Sequence, residues 1–351
     1  MAYESNPIAI GAVYAVLAAI AFGLATPFIQ RFGTGLGPFT TACLLYVGAA
    51  LGALPNPWRR HADREPPVRW THVRRLAAVA FFGAALAPTL FAWGLQRVPA
   101  TDASLLLNAE AVFTVGLAAI FYREHVGRRV LLAVAFMFAG GSLAVAGSSS
   151  GTATGPAGAL AIIAAVLCWA MDNTLTRPLA DLDPSAVVRR KALLGLLLNC
   201  GIALVRQEPF PGTNQVIGLL ACGVTGYGLS LRFYLLAQRR IGAGRTGSVF
   251  ALAPFLGAVA AALMGDRSAG WATLAAGLLF GLGVILHLTE KHRHPHLHQT
   301  TTHDHAHRHD DGHHDHAHET CPEGMHSHPH EHAAVAHAHP HGPDLHHEHQ
   351  H

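Results

Sequence analysis

Two groups of residues in this chain could do chemistry, and they are of opposite kinds. The first is a handful of polar side chains inside apolar runs. Glu110 sits near the middle of ASLLLNAEAVFTVGLAAIFY at 103–122, with Asn108 just before it. That stretch has the roughly 20 residues a helix needs to cross a bilayer core. A carboxyl at that depth is costly, so it faces a protein interior or a wet cavity. There it binds a solute or carries a proton; the plainer role is a hydrogen bond to a neighbouring helix that only fixes packing. About 200° of helical turn separates Asn108 from Glu110, so the two do not face one cavity. Asp172 and Asn173 fall in one apolar run and Lys191 in the next. They lie at comparable depth and could form an ion pair, structural or part of a solute path. Arg232 stands near a span end, where it snorkels or meets an anion. Trp169 and Tyr227 read as core or interface aromatics before ligand stackers, and Arg245-Thr246 as a helix start.

The second group is histidine. From His292 onward the chain holds 23 of its 27 histidines, mostly as His-X-His with Asp and Glu between. His303, His305, His307 and His309 alternate with other residues, and His313, His314, His316 and His318 follow. His326, His328 and His330 make a third cluster, and His337, His339 and His341 a fourth. His346, His347, His349 and His351 complete the set. Neutral imidazole suits Ni, Zn, Co and Cu, so dense tracts of it read as a divalent-metal site. Metal is expected as a ligand of the tail and not as a required cofactor. Imidazole titrates at roughly pH 6.5, so the tail could also sense cytoplasmic pH. Few apolar residues are available to fold the tail, which is expected to be disordered without metal.

The elements that must position the first group follow from composition. Of 351 residues 51% are hydrophobic and only 13% charged, against about 25% charged in a soluble domain. Mean hydropathy is +0.29. The apolar residues fill 8–288, so the body is an all-α integral membrane protein with a polar tail. The first apolar run lacks a basic n-region and an A-x-A cleavage site ahead of a mature domain, and reads as a span and not a cleaved signal. About ten spans are expected, at 8–28, 37–54, 75–95, 100–122, 130–146, 157–175, 187–205, 216–237, 246–265 and 269–288. Four of the five cysteines lie in separate apolar runs and Cys321 in the tail, with no disulfide frame or C-x-x-C site. Alternate connections between spans collect 18 Lys and Arg on one side against 4 on the other. That imbalance places both termini in the cytoplasm of a bacterial inner membrane.

Two halves repeat. Gln96-Arg97 recurs as Gln238-Arg239 at an offset of 142, and TGSVFALAPFLGAVAAALMG at 246–265 echoes 103–122. Each half has five expected spans, an odd number, so the halves must be inverted. Inverted repeats place a solute site near the midplane and permit alternating access. On LLLNAEAVFTVGLAAIFYREHVGRR and IGAGRTGSVFALAPFLGAVAAALMGD the chain resembles the EamA type of the drug/metabolite transporter superfamily. The resemblance covers 8–288 and implies two five-helix repeats, at 8–147 and 157–288, with the tail at 289–351. It also implies an acid near a helix end in each half, here Glu124 and Asp266. The usual mid-helix Glu-Pro is altered, with Ala111 after Glu110, and Pro254 retained in the second copy where Leu252 aligns with Glu110. The ending HSHPH…PDLHHEHQH resembles a bacterial subgroup with His-rich tails.

The expected function is a secondary transporter exporting a small organic metabolite or drug, as a monomer or homodimer in the lipid bilayer. The alternatives are a Ni, Co or Zn exporter whose tail collects cations, and a membrane-anchored metal store or sensor. The spans lack the His, Asp and Cys clusters that strip a hydrated transition metal. No G-x-x-x-x-G-K-[ST] or nucleophile–base pair is present, which argues against ATP-driven transport and an enzyme. Nothing points to nucleic acid.

Overall fold

A computed structural model describes residues 7–54, 68–122, 127–148, 155–179, 182–266 and 270–288, with 292–297, 301–307, 326–332 and 336–341 of the tail. Glu124, Cys321 and the tail histidines at 309–318 and 346–351 lie outside them. Among the described residues, every regular element of the body is helical. The first half holds α1 (Pro7–Gly33), α2 (Pro38–Gly52), α3 (Val73–Ala80), α4 (Ala87–Leu95), α5 (Ala100–Leu106), α6 (Ala109–Tyr122) and α7 (Arg128–Ser148). The second holds α8 (Gly155–Thr176), α9 (Pro184–Val205), α10 (Thr213–Cys222), α11 (Ser230–Phe250), α12 (Ala253–Leu263) and α13 (Trp271–Leu288). Proline opens α2 and α9, where its missing N–H costs nothing. Asp183 caps α9 by accepting from the Ser185 N–H at 2.9 Å.

Among the described residues, four stretches are long and apolar enough to cross a bilayer: Ala9–Gly33, Trp70–Leu95, Pro156–Thr176 and Thr213–Gln238. Shorter apolar helices accompany them. Leu263 and Ile120 are 84% and 73% exposed, and Phe138 and Leu278 stand out in the same way. Such a girdle suits lipid, where exposed apolar surface carries no penalty.

The packing repeats between halves. α1 lies along α11 and α12, while α8 lies along α4 and α6. Glycine permits the close crossings between halves. A Cβ on Gly48 would sit 2.4 Å from the Leu220 carbonyl oxygen, and one on Gly223 would sit 2.2 Å from that of Leu45.

Two departures from a plain ten-rod bundle recur in both halves. A π-helical segment, Phe81–Leu86, joins α3 to α4, and another, Gly223–Leu229, joins α10 to α11. Gly223 follows Phe81 by 142 residues, the offset of the Gln-Arg pairs. The expected fourth span is not one helix but breaks at Leu107-Asn108 between α5 and α6. Around the break the bonds tighten to i→i−3, from Asn108 N–H to Leu105 O and from Glu110 N–H to Leu107 O. The Asn108 side chain also donates to Leu105 O, at 3.0 Å. In the second half the helix runs unbroken from Ser230 past the expected loop to Phe250, then breaks at Ala251-Leu252. These breaks are 144 residues apart, so Pro254, and not Leu252, stands opposite Glu110.

At one end of the bundle the halves are tied by carboxylates. Glu208 accepts from the N–H groups of Thr40 (2.7 Å) and Phe39 (3.4 Å), satisfying the bare start of α2. Asp266 accepts at 2.9 Å from both the N–H and the hydroxyl of Thr101, at the start of α5. Beside it the Thr273 hydroxyl donates to Asp102 at 2.7 Å.

The described part of the tail departs from the expected disorder. Its backbone forms β1 (His292–Leu297), β2 (Thr301–His307), β3 (His326–His332) and β4 (Ala336–His341). β1 pairs antiparallel with β4, and β2 with β3. The period of two in His-X-His is the period of an extended strand, which explains why pairing is compatible with this composition.

Candidate functional site

Between the halves lies a cavity of about 90 Å³. A cavity needs roughly 10–15 Å³ to admit a water, so there is room for several. It is lined by Glu110 of α6, Trp169, Asp172 and Asn173 of α8, and Lys191 of α9, among apolar and aromatic neighbours. Trp169, Asp172 and Asn173 stand at i, i+3 and i+4, which puts all three on one face of α8. Glu110 reaches the cavity from the first turn of α6, the half-helix that the break at Asn108 releases. A helix N-terminus favours a carboxylate there.

The polar groups form two bonded pairs. The Asn173 amide donates to Glu110 Oε1 at 2.5 Å. Lys191 Nζ makes an ion pair with Asp172 Oδ2, and the Thr176 hydroxyl donates to Asp172 Oδ1 at 3.2 Å. Asp172 and Lys191 are both buried, whereas Glu110 and Asn173 are half-buried. The ion pair therefore fills its own demand, while one oxygen of Glu110 keeps no partner among the described residues.

The π segment at Phe81–Leu86 serves this site directly. A π turn leaves carbonyls without their usual i+4 donor, and Gly83 O accepts instead from two side chains. These are the Tyr46 hydroxyl, at 2.5 Å, and Trp169 Nε1–H, at 3.3 Å. Gly83 also makes room for the ion pair, since a Cβ there would fall 2.1 Å from Asp172 Oδ2. Gly83→Ala is expected to force Asp172 and the segment apart, costing about 1–3 kcal/mol as overpacking does. Thermal unfolding of the purified variant measures it, and an unshifted midpoint would remove the steric argument.

Aromatic rings make the wall. Tyr227, in the second π segment, lies 5.6 Å from Tyr46, 6.1 Å from Phe22 and 6.4 Å from Trp169, centroid to centroid. Phe250 and Tyr234 continue it, at 5.0 Å from one another. The Tyr227 hydroxyl is buried and has no hydrogen-bond partner among the described residues.

Of the residues singled out from sequence, Glu110, Trp169, Asp172, Asn173 and Lys191 converge here. Asn108 does not line the cavity; it is buried at the helix break and bonded to Leu105 O. Arg232 does not line it either, being turned from the face that carries Ser230, Leu231 and Tyr234. Tyr227 reads from sequence as a core aromatic but belongs to the wall. Phe22, Tyr46, Tyr234 and Phe250 carry no sequence signal that sets them apart from other aromatics in apolar runs. His303, His305, His307, His326, His328, His330, His337, His339 and His341 fall in the tail strands, away from this cavity in sequence.

Known proteins agree with this architecture. Residues 9–146 and 156–289 each match the EamA-like transporter family. An uncharacterized transporter of Methanothermobacter thermautotrophicus is 24% identical over 270 residues, covering 71% of this chain and 77% of its own. A riboflavin transporter of Rhizobium johnstonii is 29% identical over 241 residues, covering 66% and 77%. A protein of Salmonella typhimurium named "Probable amino-acid metabolite efflux pump" is 25% identical over 205 residues, covering 54% and 68%. A solved crystal structure superposes with a TM-score of 0.57 at 18% identity, covering 81% of this chain and 98% of that one, and so shares the fold. With both halves matched in turn and a polar cavity between them, the chain is a membrane transporter that belongs to the EamA-like transporter family.

Proposed function

We propose that this protein is a secondary transporter exporting a small organic metabolite or drug across a bacterial inner membrane by alternating access. The carrying observation is the cavity itself. It takes its lining from both repeats and sets one carboxylate, one ion pair and an aromatic wall in an apolar bundle. Ten spans in two inverted repeats complete this reading, with both termini cytoplasmic. Its volume is below the roughly 300 Å³ at which ordinary ligand pockets begin, which favours a small metabolite over a flavin-sized solute. Counterflow of labelled solutes through proteoliposomes of the purified chain is the direct test. A chain that reconstitutes folded yet moves no solute would end the proposal. A reporter active only outside the cytoplasm, fused at the C-terminus, is expected to stay silent; activity there would reverse the topology.

The tail supports a second role, in binding Ni, Zn, Co or Cu. The register of the strands sets His303 opposite His330, His305 opposite His328 and His307 opposite His326. It likewise sets His294 opposite His339 and His296 opposite His337. Facing positions on paired strands are about 4.5–5.5 Å apart, a spacing that two ligands of one ion can share. Among the described residues, by contrast, the cavity lining has no histidine or cysteine, which favours an organic solute over metal export. Deletion from His292 onward is expected to remove most Ni or Zn bound per protein in equilibrium dialysis and to leave organic-solute flux nearly unchanged. Binding by the intact chain should weaken below about pH 6, as imidazole protonates. A metal flux that vanishes on deletion, with no organic solute moving, would favour the metal exporter; metal binding without any flux would favour a store or sensor.

A further inference from the structure

We infer that the solute this cavity accepts is a small organic monocation, an amine bearing an apolar group. The inference rests on the transporter reading above and narrows it to a class. Among the described residues, the charges that face Glu110 from the packed elements are Asp172 and Lys191. Those two pair with each other, so they cancel. Glu110 receives only a neutral amide from Asn173, which leaves the cavity one negative charge in excess when Glu110 is ionised. An ammonium group or a proton corrects that excess; an anion doubles the problem.

The wall agrees with the charge. An ammonium group is drawn to ring faces within about 6 Å of their centroids, and the attraction grows as water is excluded. Tyr227, Tyr46, Phe22 and Trp169 supply such rings around one space. The buried Tyr227 hydroxyl is an acceptor in want of a donor, and an ammonium has three N–H bonds to give. With Glu110 taking one and Tyr227 another, two polar groups left without partners are satisfied together.

The same ledger separates amines from amino acids. A zwitterion brings a carboxylate that needs its own cation. Among the described residues Lys191 is the cation lining this cavity, and it is bonded to Asp172. A free divalent metal ion would find one carboxylate and a set of rings in place of several hard or imidazole ligands.

The test uses solutes that share a carbon skeleton and differ in charge. The full-length protein in lipid nanodiscs is titrated with isoamylamine, leucine, isovalerate and isoamyl alcohol at constant ionic strength, and a phenylethyl series repeats the comparison. Isoamylamine or phenethylamine should bind at least about tenfold tighter than the matching zwitterion, anion and alcohol, a gap of ~1.4 kcal/mol. Tyr227→Phe should weaken the amine several-fold, and Glu110→Gln should erase the preference for amine over alcohol without lowering the unfolding midpoint. Leucine or the alcohol binding as tightly as the amine would overturn the inference. So would amine binding that Glu110→Gln leaves intact, or no binding by either amine. Counterflow of a neutral or anionic solute, with amines inert, would overturn it while leaving transport standing; no counterflow of any solute would remove the transporter reading itself.

Discussion

Glu110→Gln is expected to cut coupled transport about 100-fold while the protein folds as before. The substitution keeps the shape of the side chain and the oxygen that accepts from Asn173 at 2.5 Å. What it removes is the charge, and with it the capacity to hold and release a proton. Losing one partner of a buried charged hydrogen bond costs roughly 2–5 kcal/mol, and about 2.8 kcal/mol is a factor of 100 in affinity. The measurement is uptake into proteoliposomes driven by a proton gradient, alongside the unfolding midpoint of the same preparation. Wild-type flux by a well-folded variant would return Glu110 to the packing role that its bond to Asn173 also permits. An aspartate at 110 offers a control, since it restores the charge but withdraws it by one methylene.

Lys191→Met should have the largest effect on stability. It strands Asp172, which is only 3% exposed, with Thr176 as its one remaining hydrogen-bond donor among the described residues. Breaking a buried ion pair by removing one member costs about 3–5 kcal/mol, because the other charge is left behind. Asp172→Asn combined with Lys191→Met should recover most of that loss, since neutral groups of similar size have no charge to desolvate. Thermal midpoints of the two single variants and the double variant form a double-mutant cycle. Additive losses would show that the pair contributes no coupling and that Lys191 acts by another route. The double variant also bears on function. If it folds and still carries solute, the pair is scaffolding for Glu110; if it folds and does not, the pair takes part in the cycle.

Much of this could be read from the chain because a bilayer writes its demands in composition. Apolar runs and the placement of Lys and Arg follow from the cost of charge in lipid. For the same reason Glu110, Asp172 and Lys191 stood out, and the pairing of the last two was legible from matching depth. The break at Leu107-Asn108 was not legible, because LLLNAE contains neither Pro nor Gly and its hydropathy is that of a continuous helix. Nor were the π segments, since hydropathy does not report which carbonyl an N–H chooses. Tyr46 and Phe22 were hidden by their ordinariness: aromatic residues are common in apolar helices, and only the crossing of α1, α2 and α8 brings these to Trp169. The tail behaved in the reverse way. Its histidine spacing was plain, yet the strand pairing that the spacing allows was hidden by a composition that reads as unfolded.

The two π segments stand at matching places in the two halves. Each is an extra residue's worth of slack wound into the third long rod of its half, at matching positions. Two halves that share so little sequence are poor candidates for acquiring the same irregularity independently. The first half has an acid at the start of its half-helix, Glu110, while the second carries Pro254 in the matching place. The site is thus asymmetric although the frame around it repeats.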